Sequence, residues 1–314
     1  MAAAEEVLSL ARGLAASDLL VVLVSGGASA LVSLPPAGVS IDDKRALVRE
    51  LLASGASIRD VNLVRRHLSR IKGGRLALAA APARVLTLAV SDVIGGELHE
   101  IGSGPSVVDP TTVEEAERAL RRFAPGWASG ERAALLSESL KAAEAPRWRA
   151  RVIAGPSWFA EKLASELGGA GLRARATPGE EGAAEAMVAA RIEQARALGP
   201  GEALVIPCEP TVRLPEQAGR GGRAGWTALR AMGELPNDVV MLCGATDGVD
   251  GASGGAGAVV SAAERRLPAS EIERALAGFD DAAVHAELGS QLAGGPTGLN
   301  FSDVHVLARL ARAG

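Results

Sequence analysis

Residues 19–31 read LLVVLVSGGASAL. Six Leu and Val residues without alternation suit a strand buried on both faces, as in a parallel sheet. Small residues follow, and then a helix-like pattern starting near Ala28. Ligands of open parallel sheets collect at the carboxyl ends of the strands, where such a turn sits. Ser25, Gly26, Gly27 and Ser29 lack bulk, so backbone amides there can approach an anion, with the positive end of the following helix behind them. A turn that uses glycine only for a positive φ has the same composition. The stretch alone leaves both readings open.

Outward from this turn, apolar runs recur at 84–90 (RVLTLAV), 151–155 (RVIAG), 203–207 (ALVIP) and 239–244 (VVMLCG), mostly separated by alanine-rich helical segments. The alternation predicts an α/β fold built on a parallel sheet. Segment 157–176 reads as part of a βαβ unit, with Ser157 as N-cap, Phe159, Leu163 and Leu167 on one face, and Gly168-Gly169 ending the helix. The rhythm is weakest over 124–150, around Pro125, Gly126, Pro146 and two tryptophans, and at Gly-Pro-Gly 199–201. A boundary at the second gives domains 1–198 and 199–314.

The 314 residues carry a formal net charge of -4, so no overall basic field recruits nucleic acid. The start has Glu5 and Glu6 and no basic n-region, and no apolar run reaches membrane-spanning length. Cys208 and Cys243 lack metal-ligand spacing and adjoin apolar runs; they read as buried reduced thiols and point to the cytoplasm. Only four lysines occur, Lys44, Lys72, Lys141 and Lys162, so lysine-dependent chemistry has few candidates.

Three stretches concentrate chemistry-bearing residues. In NLVRRHLSRIKGGRL (62–76) basic side chains crowd a Gly-Gly pair, and Lys72 beside those glycines is placed to meet a phosphate or carboxylate; a solvated basic helix face would look the same. In LTLAVSDVIGGELHEIGSGPSVVDPTT (86–112) Asp92 follows a strand, where it either serves a metal or a substrate proton or closes an Asx turn. GSGP at 102–105 is a second small-residue turn, and Asp109-Pro110-Thr111-Thr112 reads as a helix start. GRGGRAG (219–225) and CGATDGVDGASGGAG (243–257) then bring Arg220, Arg223, Asp247 and Asp250 among glycines; the second lacks the ligand spacing of an EF-hand.

In order, VSGGASALVSLP (24–35), 43–77, AVSDVIGG (89–96), SGPSVVDPTT (103–112), GRGGR (219–223), TDGVDG (246–251) and GGPTGLNFSDVHVL (294–307) resemble the MOFRL-type glycerate 2-kinases, some labelled hydroxypyruvate reductases. The resemblance implies a Rossmann-like domain and a C-terminal α/β MOFRL domain with a cleft between them. It also implies transfer of the ATP γ-phosphate to the 2-hydroxyl of D-glycerate, or a related sugar acid, with Mg2+. Arg223, Asp92 and Lys72 become the catalytic candidates. Ser25, Gly26, Gly27, Ser29, Gly221, Gly222 and Asp247 become cofactor-binding, with Asp92 and Asp247 on the metal.

The family pattern includes a lysine-bearing segment ahead of the Ser-Gly-Gly turn that has no counterpart in these residues. Its Gly-Gly-Glu-Thr-Thr is here Pro207-Cys208-Glu209-Pro210-Thr211, and its Gly-Gly-Arg-Asn-Gln-Glu is Gly221-Gly222-Arg223-Ala224-Gly225-Trp226. The expectation is therefore an N-terminally shortened first domain, weakened kinase activity, and an open strand edge that favours a homodimer. The alternative is a catalytically silent homologue that binds ligands or partners. A reductase fits poorly, because SGGASAL lacks the spacing of a dinucleotide fingerprint.

Overall fold

A computed structural model describes residues 1–129, 131–145 and 148–311. Pro146, one of the breaks seen in the sequence, lies outside the described residues. Two compact units emerge: Met1–Val90 with Gly96–Ile153, and Ser91–Gly95 with Ala154–Gly314. The division falls well ahead of Gly-Pro-Gly 199–201.

The first unit runs α1 (Ala2–Arg12), β1 (Leu19–Val24), α2 (Ala28–Leu31), α3 (Ile41–Ala53), α4 (Ile58–His67), α5 (Arg75–Ala79), β2 (Arg84–Val90), α6 (Val113–Phe123), α7 (Pro125–Ala128) and β3 (Trp148–Ala154). Its sheet has the order β1-β2-β3. β1 and β2 are parallel, from Leu19 opposite Arg84 to Val24 opposite Ala89. One face packs on α1 and α5 through Leu8, Ala11, Leu76 and Val85, with Leu20 and Val22 half-buried against them. On the other face Leu19, Val21 and Leu23 are 47, 48 and 75 % exposed. The expectation of a strand buried on both faces is thus corrected: β1 is an edge strand with helices on one side only. A second core joins α3, α4 and α6 through Leu47, Leu51, Val61, Val64 and Leu120. Ser40, Ser57 and Thr112 open these helices with capping boxes closed by Asp43, Asp60 and Glu115, so the helix start read at 109–112 is present.

The second unit continues α8 (Pro156–Gly169), β4 (Arg173–Ala176), β5 (Glu180–Ala183), α9 (Ala184–Ala197), β6 (Glu202–Thr211), α10 (Arg223–Met232), β7 (Val239–Ala245), β8 (Gly255–Val260), α11 (Ala269–Gly278), α12 (Asp281–Leu288), β9 (Gln291–Ala293) and β10 (Asp303–Arg309). Its sheet has the order β4-β6-β10-β7-β8-β9, and β5 also pairs with β6. β10 is antiparallel to both β6 and β7, while β4 and β5 run parallel to β6. This sheet is mixed, because the last strand of the chain inserts antiparallel at its centre. α10 buries Ala228, Leu229 and Met232 against Ile206, Met241 and Val260.

Two local readings are corrected. Gly155 is the N-cap of α8 and Ser157 lies inside its first turn, since Pro156 supplies the missing-donor N1 position. Nor is α8 the crossover of one sheet: β3 belongs to the first sheet and β4 to the second. Phe159, Leu163 and Leu167 do share a face, packed on Val205 and Val304. Cys208 and Cys243 are buried free thiols.

Candidate active site

In the first unit the turn after β1 lies open. Ser25, Gly26 and Gly27 are exposed, and Gly27 has φ +80° with nothing within 4 Å of where its Cβ would be. The amides of Gly26 and Gly27 have no backbone acceptor among the described residues. α2 is a single turn of four residues, so the helix expected to back the turn with its dipole is too short to add much.

Ser29 gathers the surrounding small-residue turns and cations. Lys72 Nζ donates to Ser29 Oγ at 2.6 Å and to its carbonyl, and Arg65 donates to the same oxygens at 2.7 and 3.1 Å. With two donors on Oγ, its own proton goes to Ser103 Oγ, 2.7 Å away in the 102–105 turn. That turn in turn accepts the amides of Gly73 and Gly74. The three motifs of this unit, at 25–29, 72–74 and 102–105, are thus one assembly. Burial, with the charges of Arg65 and Lys44, pushes Lys72 down to about 6.

The rest of the basic run has structural duties. Arg66 Nε pairs with buried Asp109 at 3.0 Å, His67 bonds the Ser137 carbonyl and Thr111, and Arg75 bonds the Ser137 carbonyl and hydroxyl.

In the second unit Arg223 opens α10 between two carboxylates. Nη1 lies 2.7 Å from Glu209, and Nη2 donates to Asp303 Oδ1 at 3.1 Å. Nε is 2.8 Å from Asp303 Oδ2 but not aligned for a hydrogen bond, so that contact is ionic. Burial disfavours the guanidinium's charge, but Asp303 and Glu209 outweigh it and keep Arg223 firmly protonated. Burial pushes Asp303 up to about 7 against the pull of Arg223, with Asp250 and Glu209 adding repulsion.

Gly222, Arg223, Asp247, Asp250 and Asp303 border a pocket of about 360 Å3. Asp247 Oδ1 accepts the Val249 amide at 3.0 Å, and its carbonyl accepts the Thr297 amide, so the GGPTGLN stretch clasps the TDGVDG loop. Asp92 joins this unit: its carbonyl accepts Ser302 Oγ at 2.7 Å, next to Asp303.

One expectation changes here. The Gly222 amide is spent on Asp281 Oδ1 at 3.2 Å, and Asp250 takes the Ala224 and Gly225 amides at 3.0 and 2.8 Å. The Gly222, Ala224 and Gly225 amides at the start of α10 are therefore already taken by protein carboxylates and are not free for a phosphate. Glycine is needed at 222 for close approach, since a Cβ would sit 2.1 Å from Asp250 Cγ.

The structure brings Ser25, Gly26, Gly27, Ser29 and Lys72 together in the first unit, and Asp92, Gly221, Gly222, Arg223 and Asp247 in the second. Sequence reasoning missed Asp303, Asp281 and Ser103, and named Lys44 only as one of the four lysines. A carboxylate opening the apolar run DVHVL is the signal that would have found Asp303.

The chain is similar to known proteins along most of its length. Residues 1–131 match a domain of unknown function (DUF4147), and residues 202–303 match the MOFRL family. A relative from Agrobacterium vitis, provisionally named a hydroxypyruvate reductase, is 36% identical over 97% of this chain and 73% of its own. The glycerate 2-kinase of Pyrococcus horikoshii is 31% identical over 99% and 75%. The crystal structure of Thermotoga maritima glycerate kinase superposes with a TM-score of 0.89 at 30% identity, covering 98% of this chain and 77% of that one. Fold and relatives define the class, an α/β phosphotransferase. Within it, the chain belongs to the DUF4147 and MOFRL family of glycerate kinases.

Proposed function

We propose that this protein transfers the γ-phosphoryl group of ATP to the 2-hydroxyl of D-glycerate, giving 2-phosphoglycerate. The observation that carries the reading is Arg223, a fixed cation held by Asp303 and Glu209 at the edge of a pocket lined by further carboxylates. Phosphoryl transfer needs positioning and charge neutralisation more than covalent help from the protein. Arg223 is 35% exposed at its side chain and keeps N–H donors beyond those facing Glu209 and Asp303, which suits it to the oxygens of the transferring group. The open Gly26 and Gly27 amides suit phosphate oxygens in the first unit, with Lys72 holding Ser29 in place behind them.

Among the described residues no three His, Cys, Asp or Glu side chains are close enough to hold a metal by themselves. Magnesium is commonly bound by one or two carboxylates with substrate phosphates completing its shell. Asp92 and Asp247 fit that use: they are hard oxygen donors, and neither carboxylate oxygen of Asp92 has a hydrogen-bond partner among the described residues. When bound with ATP, the ion would supply charge neutralisation on the phosphates.

We further assign slow turnover to this chain. Ala224, Gly225 and Trp226 stand where the family pattern has Asn-Gln-Glu, and all three are buried, with Trp226 Nε1 committed to the Leu276 carbonyl. They leave no polar side chain to orient a sugar acid. The buried unpaired thiols support a reducing, cytoplasmic setting.

A coupled assay with D-glycerate and Mg-ATP, identifying the phosphorylated product, tests the reading. The expected result is 2-phosphoglycerate formed well below the ordinary enzyme rate of about 10 per second, together with a rise in Tm on adding Mg-ATP. A Tm rise with no product would favour a ligand-binding homologue without turnover. No turnover and no Tm shift would remove the kinase reading.

A further inference from the structure

Beside Ser29 the first unit holds a cavity of about 860 Å3. Its lining includes Lys44, Arg45, Arg49 and Arg65 and contains no carboxylate. Among the described residues Lys44, 5% exposed, has a single acceptor for its ammonium, the Leu68 carbonyl at 3.3 Å, and Lys72, 1% exposed, reaches only Ser29. Of the nearby acids, Asp42 pairs with the lining residue Arg45, while Asp43 is held by Ser40 and Arg132 and Asp109 by Arg66. Burial already lowers the proton affinity of both lysines, so the cluster stands short of its full charge, and an anion is the partner that would complete it.

We propose that Lys44 and Arg65, with Ser29 braced by Lys72, form a binding site for a phosphate dianion, the terminal group of a polyphosphate chain. The proposal rests on the reading of the 25–29 turn as the phosphate-binding end of the kinase. A carboxylate brings one negative charge and two oxygens to one plane, whereas a terminal phosphate brings two charges and three oxygens. The latter matches an ammonium and a guanidinium reaching one cavity from α3 and α4. Arg45 and Arg49, on the outer turns of α3, extend the positive lining toward the remainder of the chain of phosphates.

The site has a built-in proton linkage. Burial, then the charges of Arg65 and Arg75, pushes Lys44 down to about 8. Lys72, at about 6, faces Arg65 and Lys44. A dianion entering this cluster favours the charged form of both lysines, so near pH 8 binding draws protons from the buffer.

Calorimetric titration of the full chain with inorganic pyrophosphate near pH 8, in two buffers of different ionisation enthalpy, reads affinity and proton uptake together. Binding with net proton uptake is expected. Lys44→Met should weaken it at least about tenfold, the usual scale for a charged hydrogen bond. Lys44→Arg should keep affinity within about threefold while proton uptake falls, because arginine enters already charged. If Lys44→Met does not fold, the uptake measured for Lys44→Arg decides.

No pyrophosphate binding, binding without proton uptake, equal affinity in Lys44→Met, or unchanged uptake in Lys44→Arg would each overturn the site. So would displacement of pyrophosphate by D-glycerate that depends on Lys44, which would make it a carboxylate site. Parent turnover is measured separately. Turnover without pyrophosphate binding removes this site alone, and pyrophosphate binding without turnover leaves the site and removes the kinase reading.

Discussion

Arg223 shows how one residue carries both charge for a ligand and stability for the fold. From its glycine-rich surroundings it reads as a cation free to act, with little part in packing. The structure adds Asp303, 2% exposed and within ionic contact. Arg223→Ala would leave that carboxylate buried without its cation, a loss of about 3–5 kcal/mol by the usual scale for broken buried pairs. Asp303 already lies at about 7, and losing Arg223 raises it further. A raised carboxyl pKa means the folded state holds a proton the unfolded state releases, so stability is lost as pH rises. The Tm of Arg223→Ala should therefore fall more near pH 8.5 than near pH 6. Adding Asp303→Asn should restore Tm but leave turnover about 10²- to 10³-fold down, the scale for a lost charge-stabilising group. Recovery of turnover in the double variant would take Arg223 out of the chemistry.

Among elements, the start of α10 is the most constrained. Two buried aspartates, Asp250 from a loop and Asp281 from the first turn of α12, hold amides there, and the glycines at 221, 222 and 225 exist to let them approach. Burial, then the charge of Asp250, pushes Asp281 up to about 7. Its unfolded value is near 3.8, so the folded state binds the extra proton between these limits and the parent loses stability as pH rises through that window. Asp281→Asn keeps an oxygen for the Gly222 amide and does not titrate. Its Tm relative to the parent should become steadily more favourable from about pH 4 to 7 and then level off. A constant difference across that range would show that Asp281 stays ionised in the fold.

For the whole molecule, the exposed row Leu19, Val21 and Leu23 matters most. β1 pairs with β2 alone, so its outer edge and one face of the sheet are open among the described residues. Open edges and apolar rows invite pairing with another chain. We expect concentration-dependent self-association to a dimer in sedimentation velocity, and Leu23→Lys to shift it toward monomer without lowering Tm. A parent that stays monomeric at tens of micromolar would exclude this contact.

Much of the fold is legible in the residues themselves. The runs at 19–24 and 84–90 became β1 and β2 to the residue, and those near 203 and 239 became β6 and β7, because an apolar β-branched run bounded by glycine has few other uses. The helix at 113 was marked by Thr112 and Glu115, a local signal. β5 and β9 escaped, being only three or four residues long, and EEGA carries no apolar pattern. The insertion of β10 between β6 and β7 also escaped, since strand order is a long-range choice.

At the candidate site the motifs named the right loops but not their partners. Only folding brings Ser29 to Lys72 and Ser103, Arg223 to Asp303, and Gly222 to Asp281, pairs separated by 43, 74, 80 and 59 positions in the chain. Residue types and local spacing determined which groups could do chemistry here. Tertiary structure decided which are free to do it, because burial and the nearest opposite charge set each group's proton affinity and its unspent hydrogen bonds, and neither is a local property of sequence.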